Sequence, residues 1–81
     1  MSLRLEPVWV ASRSDDTEGR LVFAGGCLVA VLVRLSDMHD ADAGRWFLEA
    51  GFAWLEGRRQ PVFADLDEAQ AWIADRLAQE P

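Results

Sequence analysis

The stretch CLVAVLVRL, residues Cys27 to Leu35, decides how the chain folds. Successive side chains of a strand point to opposite faces, so a half-solvated strand carries a polar residue at every second position. This one does not. Leu28, Ala30 and Leu32 form one alternating set, and Val29, Val31, Val33 and Leu35 the other. Both sets are apolar, which predicts a central strand buried on both faces. Directly upstream, Arg20 to Phe23 is a second apolar run, separated from the first by Ala24-Gly25-Gly26. Two such runs around a Gly-Gly pair predict a hairpin, because glycine adopts the positive φ that tight hairpin turns require.

Outward from that hairpin the pattern continues. Leu3 to Ser12 (LRLEPVWVAS) reads as a strand, and Pro7, which has no backbone donor, places it at an edge or bends it there. Arg13 to Gly19 is a polar loop, as is the acidic run Ser36 to Gly44. Arg45 to Glu56 predicts another strand, with Trp46, Leu48, Ala50, Phe52 and Trp54 on one face and Phe47, Glu49, Gly51, Ala53 and Leu55 on the other. Gly51 marks a bulge or a close backbone approach. Gly57 to Gln60 is a turn, and Pro61-Val62-Phe63 a short extended lead-in. A helix follows over residues 66–79. Asp65 is a good N-cap, Glu68 stands at capping-box spacing, and Leu66, Ala69, Ile73 and Leu77 make one stripe at helical period.

The fold expected is α+β: a three- to four-stranded, mostly antiparallel meander with one C-terminal helix on one face, in a single domain spanning residues 1–81. A helix of about 14 residues is ~21 Å long and ~10 Å wide. With strands ~4.8 Å apart it covers two or three of them, on one side only. The second apolar face therefore needs other cover. Either the first strand and the loops fold over it, or it meets a second copy or a partner protein, since large apolar patches are unusual on soluble monomers. A homodimer, or a complex with a partner protein, through Val29, Val31, Val33 and Phe47 is the expectation.

Composition narrows the function. The 81 residues are 51% hydrophobic, with a net charge of −6 and eight basic residues, all arginine and scattered along the chain. Nucleic-acid binders usually carry a basic patch, so this balance argues against DNA, RNA and anionic membrane. A single cysteine rules out an internal disulfide and a cysteine-based zinc site. No signal-peptide pattern opens the chain and no apolar window is long enough to span a bilayer, so a cytoplasmic location is expected. No phosphate-binding or dinucleotide fingerprint is present, and no cofactor is expected.

The remaining chemistry is sparse. Asp37-Met38-His39-Asp40-Ala41-Asp42 groups the one histidine with three aspartates, but without the glycine and bidentate glutamate of a calcium loop it reads as a solvated acidic loop. Cys27 with His39 is the conceivable nucleophile–base pair, although a cysteine opening an apolar strand ordinarily behaves as a buried hydrophobe. Glu49 stands alone among apolar neighbours. Paired with Glu6, Glu56 or Arg34 across the sheet it suits an acid/base group or a ligand-anchoring carboxylate, against the commoner role of a cross-strand ion pair on the wetter face. The stripe Trp46, Phe52 and Trp54 belongs under the helix rather than on a base-stacking surface, because basic surroundings are missing.

The C-terminal half, WFLEAGFAWLEGRRQPVFADLDEAQAWIADRL, resembles an arrangement found in many small proteobacterial proteins: a Trp-bearing strand, a turn, a short strand ending in Phe63, and a capped helix carrying Ala71-Trp72-Ile73. The β-β-β-α outline is similar to the arm-type DNA-binding domain of tyrosine recombinases. That resemblance implies a basic sheet face, where this chain has Glu49 and Glu56. The function expected is thus a non-enzymatic protein-interaction module that self-associates through its sheet. The alternatives are a small-ligand binder or enzyme with a site near Glu49 and His39, and, disfavoured by charge, a nucleic-acid-binding domain.

Overall fold

The computed structural model describes residues 2–11, 15–52, 55 and 61–79. Trp54, Glu56 and the expected turn over 57–60 lie outside them. The elements in chain order are β1 (Leu3–Trp9), β2 (Glu18–Ala24), β3 (Cys27–Arg34), a 3-10 stretch (Asp37–Asp42), β4 (Trp46–Gly51), β5 (Val62–Phe63) and α1 (Leu66–Ala78). The strands form one sheet in the order β1-β2-β3-β4-β5, antiparallel throughout. This is the expected α+β meander with one helix. Its fifth strand comes from the lead-in to the helix, where Phe63 pairs with Trp46 and Val62 with Phe47.

The hairpin between β2 and β3 turns on Gly25 and Gly26, with φ of 59° and 86°. A Cβ on either would meet nothing within 4 Å, so these glycines serve the backbone conformation rather than the packing. The 3-10 stretch is broken at Asp40, whose φ of 50° is a left-handed value that aspartate tolerates better than most residues. β3 lies at the centre of the sheet, with Val29, Ala30, Leu32 and Val33 buried and Val31 half-buried.

Two bulges change which residues share a face. Between β2 and β3 the register passes from Val22↔Ala30 to Phe23↔Leu28, leaving Val29 as the extra residue. Val29 consequently joins the core with Val22 and Ala30 instead of facing out beside Val31. Between β3 and β4 it passes from Val31↔Ala50 to Leu32↔Leu48, leaving Glu49 as the extra residue. Beyond that point the expected alternation inverts, and Ala50 leaves the Trp46–Leu48 side. The strand also ends earlier than expected, at Gly51. The chain then turns so that the Leu55 backbone N–H donates to the Phe52 carbonyl, and Leu55 enters the core at 3% exposure. Gly51 is the close approach that makes this turn fit, since a Cβ there would stand 2.8 Å from the Leu55 carbonyl oxygen.

The helix forms as its signals predict. Asp65 accepts from the Glu68 backbone N–H at 2.8 Å, and the Glu68 carboxylate reaches back to the Ala64 N–H at 2.8 Å, satisfying two otherwise orphaned donors. Ala69, Ile73 and Leu77 are buried against Val22, Ala30, Leu32, Trp46, Leu48 and Phe63, while Leu66 and Trp72 pack at the margin. Phe63 and Trp72 meet as a tilted aromatic pair with centroids 5.5 Å apart. Leu3 and Leu5 of β1 pack against the same core, so the helix-side layer extends across the sheet.

Candidate functional site: the open face and free edge of the sheet

Strand alternation puts Leu21, Phe23, Val31, Val33, Phe47 and Val62 on the side away from α1. This face is roofed unevenly. At the end where β3 runs into the 3-10 stretch, Val33 is 4% exposed and Leu35 is buried. At the hairpin end Leu21, Phe23 and Val31 are half-buried and Leu28 is 37% exposed. Arg4 lies over the Phe23 ring at 4.6 Å and supplies part of the cover there. Of the expected contact residues, Val29 and Val33 are thus already inside the protein, and only Val31 and Phe47 remain partly available.

The roofed end holds a shallow pocket of about 330 Å³. Val10, Val33, Leu35, Phe47 and Val62 form its apolar lining, and Asp16, His39, Asp42 and Glu49 its polar rim. The two residues singled out as ligand candidates, His39 and Glu49, are therefore brought to one cavity. Glu49 arrives because the bulge sets it there. It does not oppose Arg34, which pairs with Trp46.

Asp16 organises this end. Its Oδ1 accepts the Ser36 backbone N–H at 2.7 Å, and its Oδ2 accepts from His39 Nε2 at 2.7 Å. One carboxylate thereby ties the β1–β2 connection to the segment after β3. Burial works to raise the Asp16 pKa, but the Ser36 N–H and then the His39 side chain favour the ionised form. The net result is a carboxyl below its ordinary value. Asp42 lies 3.8 Å from Arg45 across an exposed pair, worth little on its own.

Cys27 is exposed rather than buried, at the start of β3 beside the Gly-Gly turn. Eight residues of β3, roughly 26 Å of strand, separate it from the segment carrying His39, so the two make no dyad. Among the described residues no group of three or more His, Cys, Asp and Glu is placed to hold a metal ion. None of the described helices is long and apolar enough to cross a membrane.

Among the described residues the sheet ends in β1 on one side and the two-residue β5 on the other, and β1 is the long edge without a neighbour. Val10, which continues the β1–β2 register opposite Thr17, donates to the Thr17 carbonyl at 2.7 Å and marks a hydrogen-bonded pair. In an antiparallel ladder such pairs alternate, so Arg4, Glu6 and Val8 point their backbone groups at β2, and Leu3, Leu5, Pro7 and Trp9 point theirs outward. The missing N–H of Pro7 falls on the outward side and costs the ladder nothing. That is the physical basis of its position at an edge. Arg4 and Glu6 form a side-chain ion pair on the open face, and Trp9 at the end of the strand is 82% exposed.

Sequence reasoning placed the first strand at an edge through Pro7 but missed Asp16 and which residues of β1 turn their backbone groups outward. Asp16 is one of several acidic residues in a polar run and carries no local signal. The edge pattern was visible as Arg4-x-Glu6 before Pro7, but became meaningful only once the ladder parity was known. Comparison with protein-family models, with curated proteins and with solved structures finds no match for the chain.

Proposed function

We propose that this domain is a non-enzymatic protein-interaction module that self-associates through its sheet. One observation carries the reading: within the described residues the sheet is unfinished on two sides. On the hairpin half of its open face Leu28 is exposed and Leu21 and Val31 are only half-buried, and β1 has no neighbour beyond it. Exposed apolar surface and unpaired strand edges are what protein partners cover. The acidic balance and the dispersed arginines favour a protein partner over nucleic acid. Three of those arginines, Arg4, Arg20 and Arg76, lie over the separate rings of Phe23, Trp46 and Trp72 instead of forming a patch.

Solution mass by light scattering after gel filtration, over a tenfold concentration range, tests the proposal. A mass approaching twice 9.1 kDa supports it, and a monomer at every concentration contradicts it. Val31→Arg then separates the two unfinished sides. A folded monomer places the contact on the face, and an unchanged dimer places it at the edge.

The pocket supports a second reading, a small-ligand binder, because His39 and Glu49 converge there over an apolar floor. A bound small molecule whose affinity survives both Glu49→Gln and His39→Ala would remove that site from consideration.

A further inference from the structure

We propose that β1 is the self-association element: two copies pair their β1 strands antiparallel about Leu5, joining two five-stranded sheets into one. This rests on the self-association reading above and commits it to the edge. The outward backbone groups belong to Leu3, Leu5, Pro7 and Trp9, so only registers that oppose odd-numbered residues make hydrogen bonds. Centred on Leu5, Leu5 faces Leu5 of the second copy, and Leu3 faces its Pro7. About four hydrogen bonds form, two between the leucines and two from Leu3 N–H to the Pro7 carbonyl. The bond Pro7 cannot donate is lost once per copy.

The side chains select the same register. Arg4 of each copy stands opposite Glu6 of the other on the open face, and on the helix side Leu5 meets Leu5 and Leu3 meets Pro7. A slip of the pairing to either neighbouring register sets Arg4 against Arg4 or Glu6 against Glu6. Opposite charges across a ladder stabilise it and like charges directly opposite destabilise it. Charges and proline on an edge ordinarily blunt it against indiscriminate pairing. Here the two charges have opposite sign and are two residues apart, so they penalise the slipped registers and favour one. Both side chains are accessible for this, at 61% and 44% exposure.

The two-fold axis of such a pair is perpendicular to the sheet. Both α1 helices then lie on one side, and the two open faces lie side by side on the other. A partner protein would meet a surface twice the width of one copy's.

The test is a pair of charge-swapped variants, Arg4→Glu and Glu6→Arg. Each alone carries like charges at both positions and is expected to be monomeric at concentrations where the native chain is dimeric. Mixed in equal amounts they are complementary, and the mass is expected to return to near twice 9.1 kDa. Neither variant can form the Arg4–Glu6 pair within its own chain, so recovery in the mixture reports only the contact between copies. Far-ultraviolet circular dichroism checks that each variant is folded. Variants that stay dimeric alone, or a mixture that stays monomeric, overturn the edge pairing. A native dimer indifferent to both swaps but broken by Val31→Arg overturns the edge and leaves self-association standing. A native monomer overturns both.

Discussion

Ile73 is fully buried at the middle of α1, between Ala69 and Leu77 on the stripe that meets the sheet. Replacing it by alanine removes three carbon groups from the interface of helix and sheet. At roughly 0.8 kcal/mol each, the lost transfer energy is about 2.4 kcal/mol. An uncollapsed void of on the order of 50–80 Å³ adds about 1–2 kcal/mol at 24 cal/mol per Å³. Alanine is the better helix former and returns about 0.4 kcal/mol. The net loss is therefore about 3–4 kcal/mol, a large share of the roughly 4–12 kcal/mol expected for a chain of this size. At about 4–8 °C per kcal/mol, the midpoint of thermal unfolding should fall by about 12–30 °C. Denaturant unfolding followed by tryptophan fluorescence measures the loss directly, since Trp46 lies in the same core. Ala71→Ser on the exposed side of the helix serves as the control, with an expected change within about 0.5 kcal/mol. A loss below about 1 kcal/mol for Ile73→Ala would mean that α1 is not seated on the sheet, and the assignment of the two faces would fail with it.

Gly51→Ala should destabilise by about 1–3 kcal/mol in the same assay. The new Cβ would sit 2.8 Å from the Leu55 carbonyl oxygen and 2.9 Å from its Cβ, and relief requires moving the buried Leu55. No loss there would show that the chain after β4 does not return against the strand. Asp16→Asn should lower stability at neutral pH, with a loss that shrinks in acid. The folded state depresses the Asp16 pKa, so the group's contribution is full above its unfolded value of about 3.9 and disappears as pH falls through the lower folded value. Denaturant midpoints of both proteins at pH 6 and pH 2.5 read this out. A difference that stays constant or widens toward acid contradicts the role given to Asp16.

Much of the fold was legible because it rests on local signals. The Gly25-Gly26 hairpin, the doubly apolar strand and the capped helix each need only their own neighbours to be read, and the Pro7 edge needs only the missing N–H. What was not legible depended on pairing between strands. A bulge is a property of two strands together, and nothing in CLVAVLVRL or RWFLEAG announces that Val29 and Glu49 are the extra residues. Those two shifts account for the misplaced faces of Val29 and Ala50, and Leu55 enters the core because the strand ends at Gly51. The candidate site was half visible. His39 and Glu49 were unusual in their own surroundings. Asp16 acquired a role only when the β1–β2 connection was folded beside Ser36, twenty residues later in the chain.

The pairing of β1 with a second copy is most directly tested by amide hydrogen exchange along that strand at low and high protein concentration. The Arg4, Glu6 and Val8 amides, bonded to β2, should be protected at both concentrations. The Leu3 and Leu5 amides point outward and should become protected only as concentration rises, in step with the mass. Leu3 and Leu5 amides that exchange freely at every concentration, beside protected Arg4 and Glu6, would contradict the pairing and leave β1 as a bare edge.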